Sequence, residues 1–164
     1  MILTLTKWCE ALAKLHPSIQ KLIRRYYRPM IYNERALANI QKTDRVLFIG
    51  GGPLPISAMM HQDMLIHAVD VVECDVKSLE KAKHYACKSN CKLHFIHALG
   101  QDVNVKDYDV IIVAKQVFNK RCILRNIQAQ AKQGTKVLFR YYKTDDELQK
   151  IAQCTKDHTC LIVV

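Results

Sequence analysis

Arg45-Val46-Leu47-Phe48-Ile49-Gly50-Gly51-Gly52-Pro53-Leu54-Pro55-Ile56-Ser57 carries the most informative pattern in the chain. The apolar run at 46–49 is typical of a strand buried on both faces, and the glycines after it predict a tight turn. A proline fits the first turn of the helix that follows. Glu73 ends the next apolar run, 21 positions after Gly52, and a carboxylate there can accept two hydrogen bonds from a ribose diol. Together these features predict a nucleoside-binding α/β site.

Length and composition indicate one globular domain. The chain has 164 residues, of which 49% are hydrophobic and 24% charged, and this balance supports a packed core and excludes an intrinsically disordered chain. No apolar run reaches the ~18 residues of a membrane span, and residues 1–7 make a poor secretion signal. The sequence therefore predicts no membrane partner and a cytoplasmic location.

The cysteines favour the same compartment. There are seven of them, an odd number, and without a secretion signal this favours reduced thiols. Cys87 and Cys91 are four residues apart, but no second pair follows at the spacing that zinc requires. The sequence predicts no metal site.

A basic segment lies near the N-terminus. The net charge is +10, and the excess is concentrated at Lys21-Leu22-Ile23-Arg24-Arg25-Tyr26-Tyr27-Arg28. Basic and aromatic side chains together are typical of a surface that binds phosphate or nucleic acid, whereas a solvated helix face needs no ligand. We favour the solvated face and keep nucleic acid as an alternative partner.

The chain divides into a helical N-terminal cap, residues 1–43, and an α/β domain, residues 44–164. Apolar residues recur at helical spacing within residues 3–43, Pro17 predicts a break between two helices, and a third helix is expected at about 33–41. After residue 44, strands and helices alternate, which predicts a doubly wound, mostly parallel sheet with ligands at the carboxyl ends of its strands. Strands are expected at 45–49, 67–73, 93–97, 109–114, 135–141 and 159–164, and helices at 54–60, 75–88, 120–133 and from 144 or 145 to about 154.

The glycine turn limits which kind of ligand can bind. Gly50 and Gly52 supply a G-x-G, which alone also fits nicotinamide and flavin sites, and the third glycine of the full fingerprint is absent. The bulky, proline-flanked turn leaves little room for a pyrophosphate, so a nucleoside without phosphates fits better. S-adenosylmethionine is such a nucleoside.

Residues 48–57 resemble the G-S-G-P-L-P signature of nicotianamine synthases, a branch of the class I S-adenosylmethionine-dependent methyltransferase fold. The resemblance extends over residues 44–142: Glu73-Cys74-Asp75 stands where the family has a D-x-D, residues 107–114 resemble its Y-D-V-V-F-L-A strand, and residues 134–140 resemble its G-A-x-L-x-x-R strand. It implies a Rossmann-like fold, S-adenosylmethionine as cofactor, and transfer of an aminocarboxypropyl group to a small amine acceptor.

The resemblance also implies that Glu73 holds the ribose. Residues expected to contact the cofactor are Gly50, Gly51, Gly52, Pro53, Glu73, Cys74, Ala98, Leu99, Gly100, Ala114 and Lys115. Tyr32 and Glu34 are the candidate catalytic residues, because a tyrosine can position an amine and a carboxylate can take its proton. The alternatives are a half-buried packing aromatic for Tyr32, a solvated helix-start acid for Glu34 and an exposed strand-end acid for Glu73.

The chain departs from the family pattern at both ends. The family's helical N-terminal domain is much longer than 43 residues, and the sequence predicts one strand after strand five, where the full fold usually has two. A homodimer could close the acceptor side that the short cap leaves open. Two further functions stay open, a methyltransferase acting on a small molecule or RNA, and a non-catalytic protein that binds S-adenosylmethionine or acts by interaction.

Overall fold

The computed structural model describes residues 17–142, 152, 154–156 and 158–164. Its centre is a seven-stranded sheet in the order β3-β2-β1-β4-β5-β7-β6. Strands β1 to β5 are parallel, and β7 runs antiparallel to both of its neighbours. The predicted doubly wound, mostly parallel sheet is confirmed. The strands are β1 (Val46–Ile49), β2 (Val69–Glu73), β3 (Leu93–His97), β4 (Val110–Val113), β5 (Lys136–Arg140), β6 (Cys154–Lys156) and β7 (Thr159–Val163).

The two central strands are buried on both faces. Every residue of β1 and of β4 is buried, which explains why both read as continuous apolar runs. Val46 pairs with Val110, and Ile49 pairs with Val113. The strand order reverses between β1 and β4, so this is the point where an open α/β sheet leaves a crevice at its carboxyl edge.

Helices cover both faces of the sheet. They are α1 (Pro17–Leu37), α2 (Ile56–Gln62), α3 (Val76–Lys88) and α4 (Lys120–Gln130). Asp75 caps α3, since its side chain accepts a hydrogen bond from the backbone N–H of Ser78 at 2.7 Å. One buried apolar cluster includes Ile123 and Ile127 of α4, and a second, on the other face, includes Phe48 and Ala58.

The N-terminal prediction needs a correction. Residues 17–37 form one helix, and the separate third helix expected at 33–41 is wrong. Pro29 lies inside this helix, where its ring removes one backbone donor without ending the helix. The helix is fixed to α2 by tertiary contacts: Arg24 pairs with Asp63, and Arg35 Nη2 donates to the backbone oxygen of His61 at 2.6 Å. The helix expected within residues 3–16 lies outside the described residues.

The C-terminal prediction was also wrong in one respect. Two strands follow β5, because β6 forms an antiparallel pair with β7 beside it. Cys154, expected at the end of a helix, belongs to β6 instead. The rest of that expected helix, residues 144–153, falls almost wholly outside the described residues. A three-residue strand is too short to show a period of its own, and pairing with β7 defines it.

Within the described residues, no helix is both long and apolar enough to cross a membrane. The cysteines described there with their side chains, Cys74, Cys87, Cys91, Cys122 and Cys160, are free thiols.

Candidate active site

A cleft of about 1550 Å³ opens at the carboxyl edge of the sheet. Ligand pockets usually enclose ~300–1,000 Å³, so this cleft has room for a nucleoside and a second small molecule. Ten of the eleven residues predicted to contact the cofactor line it, namely Gly50, Gly51, Gly52, Pro53, Glu73, Cys74, Ala98, Leu99, Gly100 and Ala114.

The glycine turn after β1 forms one wall of this cleft. Gly50 has φ +91° and Gly52 has φ +61°, a region that side chains rarely adopt. A Cβ on Gly50 would lie 2.3 Å from Val117 Cγ2, so the loop after β4 packs directly against this glycine. A Cβ on Gly52 would meet nothing within 4 Å, which leaves the backbone there open to a ligand.

Glu73 connects the end of β2 to the glycine turn. Gly52 N donates to Glu73 Oε2 at 2.7 Å, and Asp75 N donates to Oε1 at 2.9 Å. Glu73 is only 8% exposed, so the alternative of an exposed acid at the end of the strand is wrong. A carboxylate has about four acceptor sites, and these two bonds leave capacity for ligand hydroxyls. The acid therefore orders the turn and faces the same cleft.

The rim of the cleft carries an aromatic residue that sequence reasoning missed. Phe118, in the loop before α4, lines the cleft and is 88% exposed. Leu99, which was predicted, is also exposed on the rim. Phe118 had one local signal, its position shortly after a predicted strand end, and that signal does not single out one loop residue.

Lys115 does not line the cleft, contrary to its predicted position. Its Nζ lies 4.5 Å from the centroid of the Tyr142 ring, beside β5. An ammonium group is attracted to the face of an aromatic ring, and this contact accounts for where the lysine side chain lies.

Tyr32 is also outside the cleft. It is 59% exposed and borders a separate hollow of about 250 Å³ between α1 and the end of α2. This side chain is more exposed than the half-buried packing aromatic that was the alternative, and a catalytic role for Tyr32 stays a prediction.

Glu34 lies in a buried polar network behind the cleft floor. It is 1% exposed, so the solvated helix-start acid is wrong. Arg140 donates to it twice, from Nε to Oε1 at 2.7 Å and from Nη2 to Oε2 at 2.9 Å. His61 Nε2 lies 2.9 Å from Oε2, and Thr159 Oγ1 lies 3.4 Å from Oε1. The carboxylate thus joins α1, α2, β5 and β7.

The network has defined charges. Burial alone would raise the pKa of Glu34, but the charge of Arg140 and the hydrogen bonds from His61 and Arg140 hold that pKa at about 2. Burial lowers the pKa of His61, and its hydrogen bond to Glu34 offsets this only in part. At neutral pH, Glu34 is therefore ionised, and neutral His61 donates its Nε2 proton to it.

Arg140 and Ser57 bring this network to the cleft surface. Both line the cleft, whereas Glu34 and His61 do not. Arg140 Nη1 donates to Ser57 Oγ at 3.1 Å, and the guanidinium stacks over the Phe48 ring with Cζ 5.1 Å from its centroid. Sequence reasoning noted the arginine at the end of strand five but gave it no role in the site.

Solved structures share this fold. A point mutant of MtNAS in complex with S-adenosylmethionine matches with a TM-score of 0.77 and 21% identity, covering 98% of this chain and 72% of that one. MtNAS in complex with MTA and tNA matches with a TM-score of 0.75 and 21% identity, covering 94% and 68%. An RNA methyltransferase from Salinibacter ruber, in complex with S-adenosyl-L-homocysteine, has a TM-score of 0.64 and 16% identity, covering 81% and 87%. At these identities the likeness establishes the fold.

A search of curated protein sequences gave no match. The model of the family described as nicotianamine synthase protein matches residues 19–156. This range includes the glycine turn, Glu73 and the Glu34–Arg140 pair. Because the match spans well over half of the 164 residues, the chain belongs to the nicotianamine synthase family.

Proposed function

We propose that this protein is an S-adenosylmethionine-dependent transferase that moves an aminocarboxypropyl group to a small amine. The observation that carries the proposal is the family match over residues 19–156, a range that contains the whole glycine turn and its partner Glu73. A point mutant of MtNAS, with the same fold, has been solved with S-adenosylmethionine bound.

The cleft fits the donor. The open backbone at Gly52 allows close approach of a ligand, and Glu73 lies beside it with acceptor capacity for a ribose diol. Leu99 and Phe118 are apolar groups on the rim that can cover the faces of a base. We assign ribose binding to Glu73 and base contact to the rim.

The proposed reaction requires the protein mainly to align its two reactants. The acceptor nitrogen attacks the aminocarboxypropyl carbon bound to the sulfonium, which releases methylthioadenosine and one proton. The donor carries its own activation, so the residues of the cleft contribute by holding both reactants in line. Neither Tyr32 nor Glu34 lines the cleft, and we assign neither of them the role of proton acceptor.

Other expectations stay predictions. These are the cytoplasmic location, the division at residues 43 and 44, the homodimer that closes the acceptor side, and nucleic acid as an alternative acceptor. A small molecule is the acceptor that we propose.

The test is to identify the nucleoside product. Purified protein is incubated with S-adenosylmethionine and a panel of small amines, and the nucleosides are separated and identified by mass spectrometry. Methylthioadenosine above the level of a protein-free control is the expected result. S-adenosylhomocysteine would indicate methyl transfer instead, and neither product with any amine would favour a non-catalytic binding protein.

A further inference from the structure

The floor of the cleft presents one arginine whose position is fixed from behind. Arg140 is 7% exposed, lines the cleft and is held through Nε and Nη2 by the buried carboxylate of Glu34. Ser57, in the first turn of α2, lies beside it and accepts a hydrogen bond from Nη1. An arginine held on one edge by a carboxylate has a fixed orientation toward the open side.

The guanidinium of Arg140 has N–H donors that its hydrogen bonds to Glu34 and Ser57 do not use. An arginine has five N–H groups, and the hydrogen bonds to Glu34 and Ser57 use three of them among the described residues. The hydroxyl of Ser57 accepts from Arg140 and still has its own proton to donate. Two N–H groups and one O–H group on the cleft floor suit a planar anion, and a carboxylate is the anion whose geometry matches a guanidinium.

We propose that Arg140 and Ser57 form a carboxylate-binding subsite on the cleft floor. This inference rests on the proposed function, because that function supplies the carboxylates. One source is the donor, whose aminocarboxypropyl group carries a carboxylate next to its amine. The other source is a carboxylate on the amine acceptor.

The first experiment needs no substitution. Calorimetry measures the affinity of the wild-type protein for S-adenosylmethionine and for decarboxylated S-adenosylmethionine. If the donor carboxylate occupies the subsite, loss of that group weakens binding by about tenfold or more, the scale of a lost charged hydrogen bond. If the two nucleosides bind equally, the acceptor is the source, and a carboxylate-bearing amine should then have a KM at least about tenfold below that of the matching decarboxylated amine.

Variants then locate the effect. Arg140→Lys keeps the charge but loses the fork, and Ser57→Ala removes the neighbouring hydroxyl while leaving the Glu34–Arg140 pair intact. In both, the preference for the carboxylate-bearing ligand should shrink, most strongly in Arg140→Lys. Arg125→Lys makes the same change at an exposed position of α4 and serves as the control. Circular dichroism checks folding, and if Arg140→Lys does not fold, the Ser57→Ala result decides.

Two results would overturn the subsite. One is a wild-type protein that makes no distinction between ligands with and without the carboxylate, for donor and acceptor alike. The other is a preference that stays within twofold of wild type in every folded variant. A wild-type protein that binds no S-adenosylmethionine would overturn the proposed function as well, so the two failures are distinguishable.

Discussion

Replacing Glu34 with glutamine should remove a large part of the stability of this fold. The ordinary pKa of a glutamate is 4.5, and that of Glu34 is about 2. At ~1.4 kcal/mol per pKa unit, this difference corresponds to about 3 kcal/mol of stabilisation from the ionised carboxylate at neutral pH. Breaking a buried ion pair by removing one partner costs ~3–5 kcal/mol, so two independent arguments agree. Such a loss is a substantial part of the ~5–15 kcal/mol that stabilises a typical domain.

The pH dependence of stability distinguishes the loss of the Glu34 charge from a change in side-chain packing alone. Because the pKa of Glu34 is lower in the folded state, its contribution is fully present above pH 4.5 and is lost as the pH falls toward 2. The free-energy gap between wild type and Glu34→Gln should therefore be about 3 kcal/mol at pH 7 and less than about half of that at pH 3. Urea unfolding followed by far-UV circular dichroism at both pH values measures the gap.

A matched control comes from an exposed acid. Glu80 pairs with Lys83 at 3.1 Å, and its side chain is 65% exposed, so Glu80→Gln should change the free energy of unfolding by less than ~0.5 kcal/mol. A Glu34→Gln protein within ~1 kcal/mol of wild type at pH 7, or a gap that is the same at pH 3 as at pH 7, would refute the reasoning.

Three further outcomes are expected. Glu73→Ala should weaken S-adenosylmethionine binding by about tenfold or more in calorimetry, with Glu80→Ala as control, and unchanged affinity would remove Glu73 from the donor site. Gly50→Ala should lower the melting temperature more than Gly134→Ala. Both glycines have positive φ (+91° and +86°), but of the two only Gly50 lacks space for a Cβ. Equal decreases in melting temperature would mean that the Val117 side chain moves aside without loss of stability. Tyr32→Phe should leave the rate of nucleoside release within twofold of wild type, since Tyr32 lies outside the cleft. A tenfold lower rate would indicate that Tyr32 takes part in the reaction.

The parts of the site that sequence could predict are those coded by neighbouring residues. A buried strand, a glycine turn and the acid that ends the next strand all lie within residues 45–75. Parallel pairing of β1 with β2 then forces Glu73 to the same edge as Gly52. Short connections and a regular crossover leave little freedom in that arrangement.

The parts that sequence missed depend on distant partners. Glu34 and Arg140 are 106 residues apart, and nothing near Glu34 indicates a buried cation. Its local sequence, with Pro29 five positions earlier, favours a new helix start, whereas the helix runs through the proline because α2 packs against it. Lys115 shows the opposite case, since a strand-end position suggested the cleft, whereas its side chain lies against the ring of Tyr142, just after β5.

Two buried carboxylates therefore shape the cleft by different routes. Glu73 accepts from the backbone of the glycine turn, so it fixes main chain that the fold already brings near. Glu34 accepts from the side chain of Arg140 and from His61, so it fixes the direction of a cation on the floor. Because the pKa of Glu34 is about 2, its carboxylate is ionised at neutral pH, and burial lowers the pKa of His61, which favours the neutral imidazole. The network therefore acts as a fixed support for the floor rather than as a source of protons, which matches a reaction that asks its protein mainly for alignment.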